Sequence, residues 1–210
     1  MANILIAVPC MDQVPAHFAQ SLSMLDKGGH ACAVAFQVGS LIYNSRNDLA
    51  AQAIQMKADY ILWLDSDMVF PRDTLLRLYE QREKADIVSG LYFRRVPPFS
   101  PVAMTKLSVR EDGMGCDFED LVDIPKEPFE VEGIGFGCVF MGVDVVMSVL
   151  SKFDTAFNPI YGMGEDLAFC WRARECGYKI LCDPTITLGH VGNQIVTRTY
   201  YDQLRKGENT

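Results

Sequence analysis

Two carboxylates one residue apart, Asp65 and Asp67, follow the apolar run Tyr60-Ile61-Leu62-Trp63-Leu64. Such a run reads as a buried strand, and acids just beyond its C-terminal end lie where ligands of open α/β sheets bind. Neighbouring carboxylates repel each other, and a hard divalent cation that also holds a phosphate is the usual remedy. The tripeptide Asp65-Ser66-Asp67 is equally compatible with a plainer role, solvating a turn before a helix that begins at Pro71. Three more segments carry groups that suit the same chemistry. Ser45-Arg46-Asn47-Asp48 brings a guanidinium, Gly164-Glu165-Asp166 an acidic pair ahead of a helical stretch, and Leu188-Gly189-His190-Val191-Gly192 an imidazole between glycines. Each also has a plainer account: a solvated helix start, acids complementing a helix dipole, and a loop histidine.

The elements that must position these groups alternate as strands and helices over the first ninety residues. Asn3 to Val8 is a short apolar run closed by Pro9, and Val14 to Leu25 repeats apolar positions at helical spacing before Gly28-Gly29. Ala31 to Phe36 is a second strand. Asn44 or Ser45 can cap a helix through Lys57, with Leu49, Ala50, Ala53 and Ile54 on one face. Tyr60 to Leu64 is the third strand, Arg72 to Arg82 a helix opened by Pro71, and Ile87 to Leu91 the fourth strand. Successive βαβ crossovers, right-handed by rule, predict a Rossmann-like, mostly parallel half. After Tyr92 the pattern breaks at Arg94-Arg95-Val96-Pro97-Pro98, and the stretch to Pro128 predicts short strands or loops. Gly135 to Val143 is a glycine-studded strand, Asp144 caps a helix to Leu150, and Glu165 to Cys176 is a helix ended by Gly177. Tyr178 to Cys182 is a late strand, and the tail after Asn193 is polar with little pattern.

A chain of 210 residues with 49% hydrophobic and 22% charged residues can bury a core in one domain, which excludes collagen-like, coiled-coil and disordered classes. Its 27 acidic against 19 basic residues give a net charge of -8, so neither non-specific nucleic-acid binding nor attraction to an anionic membrane is expected. No apolar segment approaches the ~20 residues of a membrane span, so stable membrane insertion is not expected either. Seven cysteines without a Cys-x-x-Cys pair remove the main support for zinc-ribbon and thioredoxin readings. Most of them sit in apolar runs such as Ala31-Cys32-Ala33-Val34, as small hydrophobes do, which points to a reducing compartment and a soluble, cytoplasmic protein.

With these motifs in this order from Asn3 to about Gly192, the sequence resembles the GT-A fold glycosyltransferases of the family-2-like group. The resemblance implies an α/β fold with a mostly parallel central sheet flanked by helices and a smaller mixed acceptor-side region. It divides the chain into a nucleotide-sugar half over 1–92, an acceptor and catalytic half over 93–192, and a tail over 193–210. The implied reaction moves a sugar from a nucleoside-diphosphate sugar, UDP favoured and GDP the other option, to an acceptor hydroxyl with inversion. Asp65-Ser66-Asp67 matches the family's DxD element, with Asp67 on Mn²⁺ or Mg²⁺ and Asp65 on the ribose or reaching the metal through water. His190 stands where a third metal ligand is often found, Arg46 matches a basic residue near the nucleotide, and Pro9 marks the loop that cradles the base. Gly135 and Gly137 resemble the glycine loop bordering the donor sugar, a bulged strand being the alternative. Glu165-Asp166 matches the acidic pair of the acceptor-side helix, Glu165 beside the donor and Asp166 the general base. The acceptor stays open among glycans, small molecules, proteins and modified bases.

Three other readings compete. Leu64-Asp65-Ser66-Asp67-Met68-Val69 also fits the nucleophile motif of haloacid-dehalogenase-like phosphatases, but there it ends the first strand, and the Gly-Asp-x-x-x-Asp element is missing here. A sugar nucleotidyltransferase needs a glycine-rich basic loop after its first strand, where this chain has Pro9-Cys10-Met11-Asp12-Gln13. A non-catalytic binding module has no need to keep Asp65, Asp67, Asp166 and His190 together.

Overall fold

The computed structural model describes residues 1–39, 41–192 and 195–207. In chain order the elements are β1 (Asn3–Cys10), α1 (Ala16–Met24), β2 (Ala31–Val38), α2 (Ile42–Gln55), β3 (Tyr60–Leu64), β4 (Met68–Val69), α3 (Thr74–Glu80) and β5 (Ile87–Leu91). There follow β6 (Ala103–Val109), β7 (Cys116–Asp120), β8 (Phe129–Val131), β9 (Gly133–Ile134), β10 (Cys138–Gly142), α4 (Val143–Phe153) and α5 (Glu165–Glu175). The C-terminal part adds β11 (Ile180–Thr187), β12 (Gly189–Val191), β13 (Ile195–Val196) and α6 (Arg198–Gly207).

Seven strands form the central sheet in the order β2-β1-β3-β10-β5-β11-β8. β1, β2, β3, β5 and β11 share one direction, and β10 and β8 oppose it. The mostly parallel character therefore holds by direction, but β10 is wedged between β3 and β5, where uninterrupted crossovers would have made those two neighbours. β10 reads Cys138-Val139-Phe140-Met141-Gly142 and four of its five residues are buried. A strand buried on both faces has the same continuous apolar pattern in either direction, so its orientation is invisible in sequence. On one face of the sheet Trp63 of β3 shares a core with Leu49 of α2, Val146 of α4, Phe169 of α5 and Phe157; on the other Phe140 of β10 shares one with Phe18 of α1 and Leu75 and Leu78 of α3.

Several boundaries differ from the sequence pattern for identifiable reasons. Pro9 lies inside β1 rather than closing it: it pairs only with Gln37 of β2, because the pairing with β3 ends at Ala7, so its missing N–H leaves no gap in the ladder. α2 begins after Leu41, which puts Asn44 and Ser45 in the first turn and not at the cap. α3 begins at Thr74, whose N–H donates to the Pro71 carbonyl, so Pro71 opens a turn and not the helix. Gly135 to Gly137 forms a turn ahead of β10, and Gly142 rather than Asp144 caps α4. The stretch from Tyr92 to Pro128 is a short hairpin of β6 and β7 with loops, as its composition predicts. The tail corrects the expectation most: α6 brings Tyr201 into the core, stacked on Phe93 at 4.7 Å. Asn193 and Gln194 lie outside the described residues.

Candidate active site

β3 ends at Leu64, and the next residues turn back into β4. The Asp65 N–H donates to the Gly137 carbonyl at 3.1 Å, and the Met68 N–H closes the turn on the Asp65 carbonyl at 3.1 Å, with Ser66 at its apex. β12 then lies antiparallel on β4, pairing His190 with Met68, while the Val191 N–H donates to the Asp67 carbonyl at 2.7 Å. A strand from the far end of the chain is thereby clamped onto the acidic turn. His190 Nδ1 sits 2.9 Å from the Phe93 carbonyl. A carbonyl only accepts, so Nδ1 carries the proton and Nε2 faces Asp67 Oδ2 at 3.4 Å. The Tyr92 ring packs edge-on against the imidazole.

Asp65 turns the other way. Its Oδ1 accepts from Arg46 Nη2 at 2.8 Å, and Arg46 Nε lies 3.5 Å from Glu165 Oε1. Arg46 is only 2% exposed, with its guanidinium over the Phe136 and Trp63 rings at 5.2 and 5.9 Å. α2 and α5 thus meet at β3 through one buried cation between two acids. Among the described residues, Arg46 Nη1 and Nε find no hydrogen-bond partner, a departure from the rule for buried polar groups. The Gly164 cap starts α5, and Asp166 in its first turn accepts from the Leu167 N–H at 2.7 Å.

Charge in the site follows from this geometry. Burial raises the Asp65 carboxyl, and Arg46 offsets that rise only in part. Burial would also raise Asp67, but the hydrogen bond and charge of His190 and the charge of Arg95 outweigh it and hold Asp67 low. His190 responds in the opposite sense: burial lowers its proton affinity, and Asp67 and the Phe93 carbonyl more than restore it. Asp166 is pushed up to about 6, by burial first and by the Glu165 charge second.

Asp67 and His190 fit a divalent ion as a partial set. Asp67 offers an oxygen and, in its neutral form, His190 offers Nε2 beside it; the Asp67 main chain is held by Val191, and the Nδ1–H to carbonyl bond is the support a ligating imidazole usually has. Ions of the Mg²⁺ type commonly take one or two carboxylates and complete their shell with phosphates and water. Asp65 does not join them, and among the described residues no three His, Cys, Asp or Glu side chains gather as a metal-holding group. The glycine turn has an internal reason for its composition. Gly137 donates its N–H to the Tyr92 hydroxyl and gives its carbonyl to Asp65, and a Cβ there would lie 2.8 Å from Tyr92 Cζ. At Gly135 a Cβ would collide with the Tyr92 hydroxyl. Pro9 is buried at the C-terminal end of β1, the same edge of the sheet as the acidic turn.

Tyr92, Phe93 and Arg95 are residues of this site that motif reasoning passed over. Arg95 Nη1 lies 2.6 Å from Asp67 Oδ2 and 3.4 Å from the Val191 carbonyl. The available signal was positional: all three follow directly on β5, at the same C-terminal edge of the sheet as the acidic turn.

No family model matches the chain. Among solved structures, the fold is similar to that of A197 from STIV, with a TM-score of 0.65 and 19% identity over 95% of this chain and 92% of that one. It is also similar to GalNAc-T7 solved with UDP, GalNAc and Mn²⁺, with a TM-score of 0.63 and 10% identity over 91% of this chain and 44% of that one. At such identities the likeness concerns the fold alone, and the chain has a glycosyltransferase-like α/β fold.

Proposed function

We propose that the chain is a metal-dependent glycosyltransferase, transferring a sugar from a UDP-sugar to an acceptor hydroxyl with inversion. The observation that carries this reading is the pairing of Asp67 with His190, oriented by the Phe93 carbonyl, at the strand ends of a glycosyltransferase-like sheet. The UDP, GalNAc and Mn²⁺ held by the GalNAc-T7 structure support the choice of nucleotide and ion. When bound, the ion neutralises the diphosphate and stabilises charge on the leaving phosphate.

The remaining work falls to the chain's own side chains. Asp166 takes the acceptor hydroxyl proton while that oxygen bonds to the anomeric carbon. The carbon–phosphate-oxygen bond breaks, and its electron pair leaves with the nucleoside diphosphate. A carboxyl raised to about 6 is a stronger base than an ordinary one and is still ionised at neutral pH. Arg46 holds Asp65 and Glu165 in place, and Gly137 and Tyr92 fix the acidic turn.

Release of UDP from UDP-sugars with Mn²⁺ tests the proposal. Asp67→Ala should abolish metal-dependent release, and equal turnover in the two proteins overturns the assignment. A thermal shift with UDP and Mn²⁺ that exceeds that with GDP and Mn²⁺ supports the nucleotide; the reverse order reassigns the donor to GDP-sugars.

A further inference from the structure

Arg95 lies on the link between β5 and β6 and is 51% exposed, yet its guanidinium is committed. Nη1 donates to Asp67 Oδ2 at 2.6 Å, and this is the same oxygen that His190 Nε2 faces at 3.4 Å. The Nη1 contact to the Val191 carbonyl at 3.4 Å sets the guanidinium beside the strand that carries His190. A positive group therefore already sits on the oxygen that would bind an ion.

We propose that Arg95 is the resident counter-ion of Asp67, which neutralises that carboxylate in the ion-free protein and competes with a divalent ion for Oδ2. The proposal rests on reading Asp67 and His190 as ion-holding groups. Three observations support it. A short charge-assisted bond uses the Oδ2 lone pair facing the imidazole, and a second cation at one oxygen is repelled. The half-exposed Arg95 side chain can leave by rotation, whereas Arg46, 2% exposed and packed on Phe136 and Trp63, cannot. Its neighbour Arg94 is paired with Asp120 at 3.2 Å on β7, so it does not duplicate the contact.

The consequence has an unusual sign: deleting a polar side chain at the site should strengthen ion binding. An ion pair as exposed as this one is worth at most about 1 kcal/mol, so Arg95→Gln should tighten Mn²⁺ binding roughly twofold to fivefold. The gain should shrink as salt screens the pair. The experiment is a titration of the nucleotide-free protein with Mn²⁺ alone, followed by the paramagnetic resonance signal of the free ion. Wild type, Arg95→Gln, Arg94→Gln and Asp67→Asn are compared at low and high salt, with unfolding midpoints to show intact folds. Tighter binding in Arg95→Gln only, with binding lost in Asp67→Asn, is the expected result. Unchanged or weaker binding in Arg95→Gln, with Asp67→Asn still defective, overturns the counter-ion role and leaves the ion reading standing. Failure of every protein to bind Mn²⁺, or equal binding by Asp67→Asn and wild type, overturns both.

Discussion

Asp166→Asn separates a strained functional acid from one that merely complements a helix terminus. The carboxyl rises from an ordinary 3.8 to about 6 because burial and the adjacent Glu165 charge disfavour its ionised form. The folded protein thus holds this proton more tightly than the unfolded chain. That contribution to stability is present at low pH and is lost as pH climbs from about 4 through about 6. At about 1.36 kcal/mol for each tenfold change in proton affinity, ionising Asp166 destabilises the fold by up to ~3 kcal/mol at neutral pH. Its side chain is partly exposed, and solvent screening reduces the figure to about 1–2 kcal/mol. Asparagine keeps the shape and the oxygen that accepts from the Leu167 N–H. Urea denaturation should therefore show Asp166→Asn to be about 1–2 kcal/mol more stable than wild type at pH 7. Near pH 4 the difference should fall to a few tenths of a kcal/mol, by the same linkage. A variant that is less stable at pH 7 would refute the reasoning, because removing a dipole-complementing acid costs about 0.3–1 kcal/mol. A gain that persists unchanged at pH 4 would refute it as well.

The same carboxyl sets the acid limb of the proposed reaction: transfer should fall as pH drops through about 6, and a rate still flat at pH 5 would exclude Asp166 as the base. Arg46→Ala leaves Asp65 and Glu165 facing each other beside an emptied pocket, and should cost about 3 kcal/mol in chemical denaturation. A loss below about 1 kcal/mol would mean that water replaces the guanidinium at little cost. Gly135→Ala drives a Cβ against both the Tyr92 hydroxyl and Val102 and should cost about 1–3 kcal/mol; adding Tyr92→Phe relieves only the first clash and strips the Gly137 N–H of its acceptor, so full recovery would show that the Val102 contact costs nothing. Tyr201→Ala removes a ring that is 8% exposed and stacked on Phe93, and should lower stability by about 3 kcal/mol. An unchanged unfolding midpoint would show α6 to be dispensable to the core.

The parts of the fold legible in sequence are those whose signal is local. The runs 3–8, 60–64 and 87–91 fall in β1, β3 and β5 because consecutive apolar residues suit strands buried on both faces, while 31–36 falls in β2, an edge strand whose apolar run is only partly covered. α5 starts at Glu165, where the sequence pattern puts it, while α2 and α3 start away from the expected positions, and the polar residues near their starts make no side-chain cap. α6 was hidden because its residues are mostly polar, and what ties it to the core is a pair of tyrosines, Tyr201 on Phe93 and Tyr200 on Phe99. In the site, the motif residues were visible one by one. Which acid faces which cation was not, since that depends on side-chain direction after the turn.

By itself the sequence determined the longer elements of the first ninety residues, though not the short strand β4, and placed Asp65 and Asp67 at a strand end, because hydrophobic period and turn chemistry are local properties. Tertiary structure alone decided that β10 separates β3 from β5, and that β12 carries His190 onto Asp67. It also decided that Asp65 belongs to Arg46 and that Arg95 closes over Asp67. Those choices arise from strand pairing and charge neutralisation between segments far apart in the chain, and no local pattern encodes the partner.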